Sequence, residues 1–356
     1  MRGLLLLLTL LAGLAQADTT LRVLNWKDYI EPEVLERFKA EHAVRIDYQT
    51  FTSADELDRL LDAGTPYDLI VPSHFQLTRL IDSGRLLRLD KFRLSHYDNL
   101  DPKLLASLAA FSRANDYVVP YLWTTVGLVT DDAKLAERLG ETPADSWSVL
   151  FDPTIANRLS DCGIGWIDAP EEIFSLWLNY RGKQLGRASP RALERYARRI
   201  GESASRVGSL NNDAYVDGLA KGQLCVAMAW AGHAITAAQQ RPSLRYRIPR
   251  EGGLLTIDSW AIPANAGNPE LAHRFINFML MAPVAVRNTQ ATGFYSPMKT
   301  TLAEMEALAI ADARLVPTAA ARQRLYFLEQ LSPDQKAVID REWSRLKQDR
   351  APDLVP

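Results

Sequence analysis

Apolar positions in this chain fall into two alternating patterns: short continuous runs, and stripes that recur every three or four residues. Leu21 to Trp26 is a short, mostly apolar run that reads as a strand. Pro32 follows at a first helical position, and Val34, Leu35 and Phe38 then share one helical face. Arg45 to Phe51 reads as a second strand. Ser53-Ala54-Asp55-Glu56 has capping-box spacing and opens a helix that turns Leu57, Leu60 and Leu61 inward and ends at Gly64. Tyr67 to Pro72 reads as a third strand, and Ser73-His74-Phe75-Gln76 repeats the capping pattern before a helix that stops near Gly84. This alternation predicts an α/β fold with a mainly parallel sheet flanked by helices, and it places ligands at the carboxyl ends of the strands.

A second α/β lobe follows. Cys162 to Ile167 and Leu224 to Trp230 read as strands, with helices over Glu171 to Tyr180, Pro190 to Ile200 and Asn212 to Ala220. Leu254 to Ile262 is a further strand. Asn268 starts an amphipathic helix over Pro269 to Leu280, and Ser332-Pro333-Asp334-Gln335 opens a late helix that runs through Trp343. No repeat, heptad or low-complexity linker interrupts the order.

Ahead of the first strand, Arg2, the apolar run Leu4 to Leu14 and Ala15-Gln16-Ala17 form the pattern of a signal peptide. The run is shorter than the ~20 apolar residues of a membrane span. The expected mature start is Asp18, and secretion is expected. In an oxidising compartment the two cysteines, Cys162 and Cys225, are expected to form a disulfide. Two separate buried thiols are the alternative, because Cys225 lies within a core-like strand.

Length and charge narrow the function further. At about 100–200 residues per domain, 356 residues suggest two domains. The 41 basic and 43 acidic residues nearly cancel, so no general attraction to nucleic acid or to an anionic membrane is expected, and recognition must be local. The histidines His42, His74, His96, His233 and His273 lack metal-ligand spacing, there is no CxxC, and neither a metal nor a cofactor is expected. Enzyme signatures such as G-x-S-x-G, HExxH, Walker A and G-x-G-x-x-G are absent, and adjacent Ser73-His74 is no triad. A periplasmic hydrolase is the weaker alternative.

Aromatic and acidic residues recur where strands end. Trp26-Lys27-Asp28-Tyr29 follows the first strand, Ser73 the third, Asp168 to Glu172 a fourth, and Trp230-Ala231-Gly232-His233 a fifth. Each also has an ordinary structural reading. Asp28 suits a turn, Ser73 an N-cap, Asp168 with Glu171 a capping box, Glu172 a helix first turn, and Trp26, Trp230 and Tyr295 a core. Asp258 differs, because it interrupts the apolar strand Leu254 to Ile262, where an unpaired carboxylate would cost several kcal/mol, roughly. A cationic ligand is one way to neutralise it. Aromatic neighbours fit such a ligand, since an ammonium over an indole or phenol face gains about 0.5–2 kcal/mol.

The combination Leu24-Asn25-Trp26-Lys27-Asp28-Tyr29-Ile30, Asp68-Leu69-Ile70-Val71-Pro72-Ser73, Asp168-Ala169-Pro170-Glu171-Glu172, Trp230-Ala231-Gly232 and Phe294-Tyr295 resembles the periplasmic spermidine/putrescine-binding proteins of polyamine ABC transporters, most closely the putrescine-binding members. The resemblance covers nearly the whole mature chain. It implies a two-lobed type II periplasmic binding fold, with lobe 1 over 18–124 and 256–303, lobe 2 over 125–255 and 304–356, and crossings near Trp123 to Thr125 and Leu255 to Thr256. It implies a monomer that closes on a small cationic amine and delivers it to an ABC transporter permease; a ligand-dependent partner whose closed form docks on a chemoreceptor or sensor, instead of or as well as a permease, is the alternative from another class. It places Trp26, Asp28, Tyr29, Ser73, Glu172, Trp230, Asp258 and Tyr295 among ligand-contacting positions, with His233, Lys27 and Asp168 as further candidates. It also supports the cysteine pairing.

Three departures bear on the ligand. His233 stands where putrescine binders carry a carboxylate, Lys27 where they carry a small hydroxyl residue, and Thr256 where an aromatic is usual. An imidazole near Glu172 is expected to protonate and compete with a second ammonium. Lys27 is expected to point to solvent. Should it point inward, a compact ω-amino acid such as γ-aminobutyrate becomes the alternative ligand.

Overall fold

A computed structural model describes residues 19–141, 145–299 and 317–350. The expected signal peptide and cleavage site, and part of the segment assigned to lobe 2 after residue 303, lie outside the described residues. Among the described residues no helix is long and apolar enough to cross a membrane.

Among the described residues ten strands form one sheet: β1 (Thr20–Trp26), β2 (Arg45–Phe51), β3 (Leu69–Ile70), β4 (Val118–Asp131), β5 (Ile164–Trp166), β6 (Ser209–Leu210), β7 (Val226–Trp230), β8 (Leu244–Arg247), β9 (Gly253–Ala261) and β10 (Leu325–Phe327). Their order is β2-β1-β3-β9-β4-β7-β5-β6, with β10 on β9 and β8 on β4. The flanks are parallel, β1 against β2 and β3, and β5 against β6 and β7. The two long central strands β4 and β9 run antiparallel to each other. At Val126, β4 exchanges partners: its first part pairs with β9, its second with β7. Two parallel α/β halves are therefore joined through shared strands.

The helix boundaries follow local chemistry. Ser53 accepts a hydrogen bond from the Glu56 amide at 3.1 Å and starts the helix Ala54–Asp62, after which Gly64 adopts a left-handed φ of 78°. Asn268 caps Pro269–Met279, and the Ser332/Gln335 box opens Pro333–Gln348. Pro170 at the first position of Pro170–Tyr180 makes Ala169 the N-cap, so the expected Asp168–Glu171 capping box does not form.

Periodicity leaves four of the described strands unannounced, β4, β6, β8 and β10, and β4 is the longest of them. All fourteen residues of β4 are buried, so there is no polar alternation, and Pro120 sits inside it where the register shifts between Pro120 and Leu122. Conversely, the run Tyr67 to Pro72 contributes only Leu69 and Ile70 to the ladder. The core fills both faces of the sheet, with Trp147, Trp166, Phe174 and Tyr215 in one cluster and Phe38, Trp260, Phe275 and Phe294 in another. Each such ring, fully buried, contributes on the order of 2–3 kcal/mol. Cys162 and Cys225 are disulfide-bonded, with Cα atoms 5.5 Å apart, and the bond ties the start of β5 to that of β7.

Candidate functional site

The strand ends converge on one cavity. Trp26, Lys27, Asp28, Tyr29, Ser73, Glu172, Trp230, His233 and Asp258 all line it; Asp168 and Tyr295 do not. Thr52, Asn212, Asp213, Phe75 and Phe294 line it as well.

Its floor is Asp258, in the middle of β9 and 1% exposed. The phenol of Tyr29 donates to Oδ2 at 2.8 Å, and the hydroxyl of Ser73 donates to Oδ1. Ser73 therefore does two jobs: its amide donates to Gln76 Oε1 at 3.1 Å to start the helix His74–Asp82, while its hydroxyl serves the carboxylate. Tyr29 is aimed by a local twist. Asp28 adopts a left-handed φ of 61°, a conformation Asp tolerates, and the chain turns so that Asp28 stays exposed at the mouth while Tyr29 points in. The Tyr29 carbonyl is held by the hydroxyl of Tyr121 and by Asn288 Nδ2.

Opposite, Glu172 lies in the first turn of Pro170–Tyr180 and is 7% exposed. The helix dipole favours its ionised form by about 0.3–1 kcal/mol, and burial opposes it. Burial wins and raises its pKa to about 8, against the hydrogen bond from the Trp230 side chain and together with repulsion from Asp258 and Glu171. Burial likewise raises Asp258 to about 7 despite its two hydrogen bonds. Glu172 Oε2, Trp26 Nε1 and Thr124 Oγ1 are buried without hydrogen-bond partners. No lysine or arginine pairs with either carboxylate among the described residues, and no cluster of potential metal ligands occurs there.

Aromatic rings surround the two acids. Trp26 packs on Phe51 at 4.4 Å, and Tyr29 on Phe294 at 4.3 Å. Phe294 needs Gly232 beneath it, since a Cβ there would meet its ring at 2.7 Å. Tyr295, the neighbouring residue, turns away and packs on Trp123 at 4.5 Å, with its hydroxyl unpartnered. Asp168 faces the adjoining cavity, where Trp343 Nε1 donates to it at 2.6 Å and Lys347 Nζ at 2.9 Å.

Two sequence expectations are corrected. Lys27 neither points freely to solvent nor enters the cavity as an unpaired charge, because it forms an ion pair with Asp213 at the mouth, each side chain about half exposed. His233 does not protonate toward Glu172. Burial is the largest influence on it and lowers its pKa to about 4; Lys27 adds to that lowering and Asp213 opposes it. The sequence does not single out Asp213, which lies at a helix start, where the Ala214 amide donates to its carboxylate. The neighbouring Asn212 donates to the Thr52 carbonyl at 3.0 Å, a second link across the mouth.

Comparison with known proteins agrees with this architecture. Residues 33–318 match the family of bacterial extracellular solute-binding proteins. The chain is 31% identical over 351 residues to the putrescine-binding periplasmic protein PotF of Escherichia coli, covering 94% of this chain and 93% of that one. It is 30% identical over 356 residues to the putrescine-binding periplasmic protein SpuD of Pseudomonas aeruginosa, covering 96% and 97%. Among solved structures it is similar to a putative spermidine/putrescine ABC transporter from Listeria monocytogenes, with a TM-score of 0.83, 27% identity, and 92% and 99% of the two chains covered. The two-lobed α/β fold, the cleft between its halves and these relationships together establish that the chain belongs to the bacterial extracellular solute-binding protein family.

Proposed function

We propose that this protein captures a polyamine-class cation in the cleft and presents it, without chemical conversion, to an ABC importer. The observation that carries the reading is the pair of buried carboxylates, Asp258 and Glu172, neither matched by a protein cation among the described residues. Each is costly to ionise alone and becomes favourable once an ammonium arrives, because an opposite charge offsets the desolvation. Trp26, Tyr29, Trp230 and Phe294 would cover the aliphatic chain of the ligand and exclude water, and the exposed Asp28 would steer cations at the mouth.

Lobe 1 (18–124 and 256–303) and lobe 2 (125–255 and 304–356) would close over the ligand by a hinge in β4 and β9. Lys27–Asp213, Asn212 to Thr52, and Lys336–Asp55 at 2.9 Å join the two sides, and would stabilise the closed form. That form is what a permease would recognise, and a receptor could read the same surface. Periplasmic location with cleavage after Ala17 completes the reading, and the relatives are putrescine-binding periplasmic proteins, which supports binding over catalysis.

The test is calorimetric titration of refolded, ligand-free protein at pH 8 with putrescine, cadaverine, spermidine and agmatine, followed by recovery of the ligand. Saturable binding and release of unchanged amine is the expected result. No binding of any amine, or its conversion, would overturn the proposal.

A further inference from the structure

A fully protonated polyamine carries hydrogen-bond donors and no acceptor, yet the cavity offers donors that lack acceptors. One is Trp26 Nε1, buried without a partner. The other follows from the proton inventory around His233. Tyr215 is fully buried, and its hydroxyl lies 2.9 Å from His233 Nδ1. A phenol proton buried there needs an acceptor, and Nδ1 is the one beside it. Accepting there leaves the ring proton on Nε2. The ring stays neutral because burial disfavours its charged form. His233 thus contributes a neutral N–H donor to the cavity wall.

Resting on the polyamine reading, we infer that the ligand also carries a neutral hydrogen-bond acceptor, an amide carbonyl or hydroxyl, and that His233 is the residue that selects for it, as in an N-acylated polyamine. A ligand carboxylate fits less well, because Asp258 and Glu172 would repel it. An unmodified ammonium facing His233 would set donor against donor and leave both unpaired, the mismatch by which a polar site rejects an analogue.

The experiment titrates the full mature protein at pH 8 with two pairs, putrescine with N-acetylputrescine and spermidine with N1-acetylspermidine, and repeats both on His233→Asp. The expected result is at least one acetylated amine binding at least tenfold more tightly than its parent, with the preference reversed in His233→Asp. Tighter or equal binding of both unmodified amines by the wild type would overturn this inference and leave the polyamine reading intact; no binding of all four would overturn both. A measurement that needs no variant fold is the 15N spectrum of the histidine rings in the wild-type protein, with His233→Gln used only to assign the signal. An Nε2–H tautomer for His233 at pH 7 is expected, and an Nδ1–H tautomer or a charged ring there would also overturn the inference.

Discussion

Amine affinity should fall steeply as the solution is acidified, because the two carboxylates that receive the ammonium groups must be ionised to do so. Free Asp258 titrates at about 7 and Glu172 at about 8, both raised by burial. A bound ammonium holds each in its charged form, so binding releases protons at any pH where the free site is protonated. Between pH 8 and pH 6 the ionised fraction of Asp258 falls about tenfold and that of Glu172 about 50-fold, and the ligand amines, with pKa ~10, stay charged throughout. The product is a loss of about 500-fold, or about 4 kcal/mol. Titration calorimetry with putrescine at pH 6, 7 and 8, in buffers of different ionisation enthalpy, reads both the affinity and the protons released, expected to exceed one per ligand at pH 7. Glu172→Gln should reduce the pH effect to about tenfold and Asp258→Asn to about 50-fold. Affinity constant within threefold from pH 6 to 8, or stronger at pH 6, would refute the assignment of these carboxylates as the ammonium sites.

The same linkage acts on the ligand-free fold with the opposite sign. Asp258 and Glu172 bind protons in the folded state that the unfolded chain has already released, so they lower stability as pH rises from 6 to 8, while buried His74 and His233, with pKa values of about 3 and 4, offset roughly half of that. Thermal scans should therefore show a net loss of about 2 kcal/mol without ligand, and a larger stabilisation by putrescine at pH 8 than at pH 6. Asp258→Asn should raise the ligand-free melting temperature at pH 8 while weakening putrescine binding at least 30-fold, roughly the 2–5 kcal/mol of a broken buried charge pair; unchanged affinity would remove Asp258 from the site. Reducing Cys162–Cys225, 63 residues apart, should cost about 4 kcal/mol by loop entropy, or about 6 °C in Tm, with no change in ligand preference. Tyr295→Phe removes an unpartnered buried hydroxyl and should leave affinity within twofold and stability equal or higher, as denaturant titration and calorimetry would show.

Much of the site was legible because its elements announce themselves locally. Ser53 and Ser73 read correctly as helix starts, and Asp258 stood out as a carboxylate in an otherwise apolar strand, which the structure places at the bottom of the cavity. What stayed hidden depends on contacts distant in sequence. Lys27 and its partner Asp213 lie 186 residues apart, and nothing around either residue names the other. Whether Phe294 or Tyr295 faces the cavity is decided by the turn at Gly293 and by the bare Cα of Gly232 beneath the ring, a one-residue choice that composition does not make. The strand β4 was hidden for a related reason: buried on both faces, it lacks the polar alternation that marks a half-exposed strand.

His233 shows where residue chemistry alone misleads. An imidazole beside an acid invites the expectation of a charged pair, and in water that expectation would hold. Inside this wall the desolvation of the ring outweighs the attraction of Asp213, and Lys27, already paired with that aspartate, adds repulsion. Tyr215 then decides which nitrogen keeps the proton. The polarity of one end of the cavity is therefore set by a phenol behind its lining, and replacing Tyr215 with Phe should loosen the choice of tautomer without removing any atom of the histidine. The 15N spectrum of that variant should show both neutral tautomers of His233, and a spectrum unchanged from wild type would mean that some other contact holds the proton in place.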